Sequence, residues 1–283
     1  MDAQLIDSAQ WGKLPFDLFV LEKWDPSSTE DARAQGARLA IDYVKLGLRG
    51  RQPYHEAIRE GRFASPTQTQ IETILEPMQT IRERNLSSTI HKDKSIWLRT
   101  CYENGSDAKH AELLSSLKQP IEEITNGRGH ECLFDDMTLY DYGSHWDRIF
   151  TRFPELVADP FADLDRKEKK TRDARAEALR EWKEEEVDEL DYEAFLHYHV
   201  TAHFFVEDRE TLFGNGRMLI VWLDDQGRVV RETRIDTTEQ LYEVFGLCSD
   251  GSIYECSGTW LDGEVGPAYQ HDGELGLLSA EEC

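Results

Sequence analysis

The stretch Ala194–Glu207, AFLHYHVTAHFFVE, decides how the rest of the chain is read. Taken two residues at a time, Leu196, Tyr198, Val200, Ala202, Phe204 and Val206 share one face. Phe195, His197, His199, Thr201, His203 and Phe205 share the other. A strand has this period because successive side chains leave opposite sides of the pleat. One face is thus apolar, and the other carries three of the chain's nine histidines. A helix would instead set His199 beside His203 and make HVTAH a counterpart of the zincin HExxH. Val200 and Thr201 supply no glutamate for the base of that motif, and a helix scrambles the alternation, so the stretch is read as a strand.

Outward from it, Gly214-Asn215-Gly216 marks a hairpin turn and Met218–Leu223, MLIVWL, an apolar strand covered on both faces. Asp224-Asp225-Gln226-Gly227 turns the chain into Val229–Ile235, a strand nearer an edge, and a short helix is expected from Thr237 or Thr238 to Phe245. Upstream, 164–187 is helical by composition, basic early and acidic late. That order opposes the helix dipole, so packing rather than local charge must hold it, or it projects as a solvated face. Cys132–Tyr142 is rich in β-formers and reads as an early strand, after an amphipathic helix from Asp107 to about Thr125. Ser144 is placed to cap a short helix to Arg152.

The first hundred residues are helical in pattern. A helix capped at Thr29 runs to about Leu46, a loop follows at Gly50–Pro53, and a further helix from about Thr67 to Asn85 is kinked or divided by Pro77. The expected organisation is a helical extension over 1–105, an α+β domain over 106–247, and an acidic, Gly-rich tail over 248–283 with a strand at Ile253–Cys256.

The totals narrow the function classes. Among 283 residues, 56 acidic and 32 basic side chains leave a formal charge of −24. No excess of cations exists to neutralise phosphates or to dock on an anionic membrane, so no nucleic-acid or membrane partner is expected. Five cysteines, Cys101, Cys132, Cys248, Cys256 and Cys283, form no CxxC pair, which speaks against a zinc ribbon or a disulfide framework. No signal peptide or long apolar span is visible, so a cytoplasmic location with reduced thiols is expected. Phosphate-cradling loops of the GxxxxGK[ST] and GxGxxG kinds and a GxSxG elbow are all absent.

A helix leading into FDDMTLYDYG, a further helix, three antiparallel strands, then LIVWLDDQGRVVRETRID followed by TTEQLYEVFG, resembles the nuclear-transport-factor-like superfamily in its SnoaL-like, polyketide-cyclase branch. The resemblance covers about 107–247. It implies an α+β fold in which helices close a curved, mostly antiparallel sheet into a cone, and a pocket in which polar groups move protons on a small organic molecule. It also implies a lyase, isomerase or cyclase without metal or cofactor, with a homodimer through the sheet as the assembly. The N-terminal helices and the charged helix depart from the family pattern.

The candidate catalytic residues are His197, His199, Asp136, Tyr140, His145 and Asp236. His197 and His199 on one strand face would stand about 6–7 Å apart, near enough to share a proton or one metal ion. His203, about 13 Å further along, could not join them. Asp136 and Tyr140 share a face of the early strand, with Asp141 on the other. The DDxxxYD spacing also occurs in metal-binding acids of terpene cyclases, an all-helical fold that strands argue against. Each candidate has a structural reading beside it: a wetted sheet face for the histidines, solvated strand ends for the acids. A non-catalytic ligand- or protein-binding member of the same fold is the alternative function, and a metal enzyme using His197 and His199 the third.

Overall fold

A computed structural model describes residues 10–87, 96–124, 133–159, 163–183, 189–237 and 257–278. The chain divides into two compact units, 1–92 with 147–161 and 225–227, and 93–146 with 162–224 and 228–283. The expected boundary near 105 falls inside the second unit.

The first unit is helical. Helices α1 (Pro15–Lys23), α2 (Ala32–Lys45) and α3 (Gly47–Arg59) are followed by a π turn, Ile71–Leu75, and by α4 (Ile81–Ser87). Asp31, not Thr29, caps α2, its carboxylate accepting the Ala34 N–H at 2.9 Å. Gly47 takes φ +65° and lets α3 follow α2 at once, so the loop expected at Gly50–Pro53 is helix with Pro53 inside it. Pro77 does divide the next segment. Phe16, Phe19, Val20, Leu39, Ala40, Tyr43, Ile74, Leu75 and Met78 form the core.

Buried charges tie this core to the inserted 147–161 segment. Asp17 and Arg84 pair at 2.7 Å with both side chains buried. Glu155 accepts the Phe16 N–H at 2.8 Å and the Tyr43 hydroxyl at 3.2 Å. Burial raises the Glu155 carboxyl to about 7, against the pull of the Phe16 N–H and of Arg51.

The second unit is built on one open, six-stranded mixed sheet in the order β2-β1-β3-β4-β5-β6. Its strands are β1 (Ile96–Arg99), β2 (Leu133–Phe134), β3 (Ala202–Glu207), β4 (Arg217–Leu223), β5 (Val229–Asp236) and β6 (Glu264–Val265). β1 runs parallel to β2 and β3, and the remaining pairs are antiparallel. The α+β class and the β4–β5 hairpin agree with the sequence reading. β4 is buried on both faces from Met218 to Leu223, and Gly227 turns the hairpin with φ +76°.

Two expectations fail here. Cys132–Tyr142 is not one strand. After β2 the Asp136 carboxylate accepts the Thr138 N–H at 2.8 Å and starts a short helix, α6 (Met137–Tyr140). A local cap outweighs the β propensity of LYDY.

The second concerns the opening stretch. Glu189–His199 is a helix, α8, and the strand begins only at Ala202. Tyr192, Phe195, Leu196 and His199 stand at i, i+3, i+4 and i+7, so the segment satisfies a helical period as well as an alternating one. Packing chose between them, because α8 lies along the charged helix α7 (Leu164–Lys183), and Phe195, Leu196 and Ala178 enter the same core as Trp97, Phe205, Ile220 and Trp222. Despite its unfavourable charge order, α7 is anchored by Lys167, which donates to Thr201 Oγ1 at 2.7 Å, and by Arg175, which donates to the Gly276 carbonyl at 2.7 Å. The helix expected at 238–245 and the strand at 253–256 lie outside the described residues.

Candidate functional site

Because β1, β2 and β3 are parallel, the loops that follow them leave the same end of the sheet, the carboxyl end at which open sheets of parallel strands bind ligands. The register sets Arg99 of β1 opposite Glu207 of β3, with Trp97 two residues back on the same face. Helix α5 (Ser106–Ile124) then brings His110 over that corner. Arg99 fixes the loop between β1 and α5. Its guanidinium donates to the Cys101 carbonyl at 3.1 Å, to Ser106 Oγ at 2.8 Å and to Asp107 Oδ1 at 2.6 Å. Asp107 in the first turn also suits the helix dipole.

Glu207 is wholly buried. One oxygen accepts the Trp97 indole N–H at 2.8 Å, and His110 Nδ1 lies 2.8 and 2.9 Å from the two oxygens. A carboxylate only accepts, so Nδ1 carries the proton, and in the neutral ring the lone pair is on Nε2. Nε2 faces Asp135, the first residue after β2, at 3.5 Å, and makes no hydrogen bond among the described residues. His110 is 7% exposed, whereas the Asp135 side chain is 42% exposed and meets solvent. The result is a row running from a buried carboxylate through an imidazole to an open carboxylate. Beside it, burial pushes the Tyr102 phenol well above its usual range, Arg99 opposes, and the charges of Asp135, Glu207 and Asp136 add to the rise. Arg99 also lies over the Tyr102 ring at 4.5 Å.

Of the six residues singled out in the sequence, Asp136 stands at this corner, as the exposed N-cap of α6 next to Asp135. Tyr140 is buried with its ring edge-on to Phe134 and Tyr142, on the other face of the sheet. His145 is exposed in the turn before Trp146. Asp236 ends β5 at the surface, 3.5 Å from Arg217 Nε.

His197 and His199 lie in the last turn of α8, two residues apart on a helix and so directed to different sides. His197 faces Trp260 at 6.3 Å between ring centres, and burial, then Lys167 and Lys170, lower its pKa. His199 meets Phe195 and Tyr269. The neighbours of His197 belong to a buried group in which Arg231 of β5 donates to Glu193 at 2.6 Å and to the Trp260 carbonyl at 2.6 Å. β5 is four strand positions from β2, roughly 19 Å at ~4.8 Å per strand. The histidine pair and the Asp136 corner are therefore separate places. His203 remains on β3, on the Phe205–Glu207 face, where burial pushes it down to about 4.

Sequence reading missed His110, Glu207 and Asp135 as a set. One signal was present: continuing the alternation of β3 by one step puts Glu207 on the face of His203 and Phe205 at the end of an apolar run. Among the described residues, no group of three or more His, Cys, Asp or Glu is arranged to hold a metal ion. None of the described helices is long and apolar enough to cross a membrane. No family model, no curated protein and no solved structure matches the chain.

Proposed function

We propose that the second unit binds a small organic molecule at the carboxyl end of β1, β2 and β3 and transfers a proton to or from it through His110. The observation that carries this is the imidazole held by a buried carboxylate at Nδ1, with Nε2 directed at the solvent-reaching Asp135. Glu207 sets the tautomer and stabilises the imidazolium formed when Nε2 takes a proton. Asp135 is placed to accept the proton next or to orient the group that supplies it. The chemistry belongs to the lyase, isomerase or cyclase class that the SnoaL-like resemblance implies, carried by residues other than the histidine pair. The resemblance contributes only that reaction class, and the reading stands on the geometry around His110. The sheet itself is open and mixed, so the closed cone of the family is no part of the reading.

Proton exchange tests this without a known substrate. Small carbon acids deuterated next to a carbonyl (a ketone, an ester and an amino ketone) are incubated with the full chain, and loss of deuterium is followed by NMR. Wild-type protein should exceed His110→Gln by about 10²–10⁴-fold for at least one of them, the usual worth of a positioned general base. Equal rates for the two proteins, or no rate above buffer with any compound, would sink the proposal.

A further inference from the structure

We infer that Asn104 is a self-modification site, which the folded protein converts to isoaspartate and aspartate through a cyclic imide with Gly105. Gly105 carries no side chain to hinder attack on the neighbouring carboxamide. Its nitrogen gives up its proton and bonds to Asn104 Cγ, the Cγ–Nδ2 bond breaks, and Nδ2 leaves as ammonia. Water then opens the ring at either carbonyl. One opening leaves an ordinary aspartate, and the other runs the main chain through Cβ and Cγ as isoaspartate. An amide and one water thus become an acid and ammonia, with no change of oxidation state.

The described residues hold two Asn-Gly pairs, each with an exposed asparagine, and the fold treats them differently. Asn215 is held. Its Oδ1 accepts the Arg217 N–H at 2.9 Å, and its Nδ2 donates to Glu210 Oε1 at 3.3 Å. Both bonds must break before that carboxamide can turn onto the Gly216 nitrogen. The Asn104 side chain makes no hydrogen bond among the described residues, and the Gly105 N–H donates to none of them. Gly105 is exposed at φ +87°, and the nearest atom to a side chain built there would be on the Phe213 ring, at 4.0 Å. The turn is closed by the Ser106 N–H on the Glu103 carbonyl at 2.9 Å, a bond that leaves the Asn104 carboxamide to rotate. An exposed loop tip of this kind reaches the attack geometry at little cost. The product falls between β1 and α5, where one more main-chain carbon and one more negative charge enter the loop that leads to His110.

The full chain is aged at mildly alkaline pH in heavy-oxygen water, and the peptides covering Asn104 and Asn215 are followed by chromatography and mass spectrometry. The Asn104 peptide should take up one heavy oxygen and yield isoaspartate and aspartate together. It should do so about tenfold faster than the Asn215 peptide, the worth of the two hydrogen bonds that hold Asn215. In urea, where neither side chain is held, the two rates should converge. Asn104→Gln should stop the conversion at that position, because glutamine must close a larger ring, and leave the Asn215 rate unchanged. No conversion at Asn104, a rate at Asn215 equal or greater in the folded protein, a gap that survives in urea, or aspartate formed without isoaspartate would each overturn the assignment.

Discussion

Replacing Glu207 by Gln changes one oxygen to NH2 at a wholly buried position and tests the imidazole row at its root. Glu207 now accepts two N–H groups, from Trp97 at 2.8 Å and from His110 at 2.8 Å. Both bonds are charge-assisted, worth about 1.5–3 kcal/mol each. Glutamine keeps one carbonyl oxygen, so one N–H retains a neutral partner, while the new NH2 meets the other donor. With the His110 tautomer fixed, half of one bond and all of the second would be lost, a cost of about 2–4 kcal/mol, whereas after a change of tautomer both bonds survive as neutral ones and the cost is about 1.5–3 kcal/mol. His110 can relieve the clash by moving its proton to Nε2, where Asp135 waits at 3.5 Å. Nδ1 then accepts from the glutamine amide, and the ring faces the mouth as a donor instead of a base. Nitrogen shifts of the labelled His110 ring should therefore report the Nε2–H form in Glu207→Gln and the Nδ1–H form in wild type. Urea unfolding should give the stability difference, and deuterium exchange should fall as far as in His110→Gln. An unchanged Nδ1–H tautomer, or a stability loss below about 1 kcal/mol, half of a single such bond, would refute the reasoning.

Other outcomes follow from buried charge. Glu155 has its carboxyl raised from 4.5 to about 7, so the folded first unit holds a proton that the unfolded chain releases. That contribution is full below about pH 4.5 and is lost as pH rises through 7, a change of about 3 kcal/mol at ~1.4 kcal/mol per unit. Glu155→Gln should remove this slope, seen as hydrogen exchange in α1 and α2 measured from pH 4.5 to 8. A wild-type minus variant difference that stays flat, or that rises with pH, contradicts the assignment. In the second unit, Glu193→Ala would leave the Arg231 guanidinium buried without its carboxylate, and Trp260 without the acceptor for its indole N–H. Loss of one partner of a buried pair costs about 3–5 kcal/mol. Thermal unfolding should show it, with Glu193→Gln falling between the variant and wild type; a change within error would mean water already satisfies Arg231.

Much of the second unit was readable along the chain. MLIVWL could only be a strand covered on both sides, and the Asp-Asp-Gln-Gly turn with its left-handed Gly227 made the hairpin a local matter. The amphipathic pattern beginning at Asp107 became α5, and the helical reading agrees with the structure over 10–87, because spacing along one segment is enough to define which side must be buried. It fails at Ile96–Arg99, where four buried residues form β1 between β2 and β3 instead of continuing a helical extension to 105. AFLHYHVTAHFFVE is where local information ran out. Its first half fits periods of both 2 and 3.6, and only the groove between α7 and the sheet, built by residues far away in sequence, made it a helix up to His199. With that, the histidine pair lost its common face.

The candidate site was hidden for the same kind of reason. His110, Asp135 and Glu207 are spread over 98 positions of the sequence, and no spacing rule joins them. What joins them is the parallel pairing of β1 with both β2 and β3, which sends three loops to one end and places Arg99 beside Glu207. The sequence by itself determined which segments would bury an apolar side and where the chain must turn, since both follow from neighbours a few residues apart. Only the tertiary structure decided which polar residues would meet, because strand order and register are set by the whole core and not by any one stretch of it.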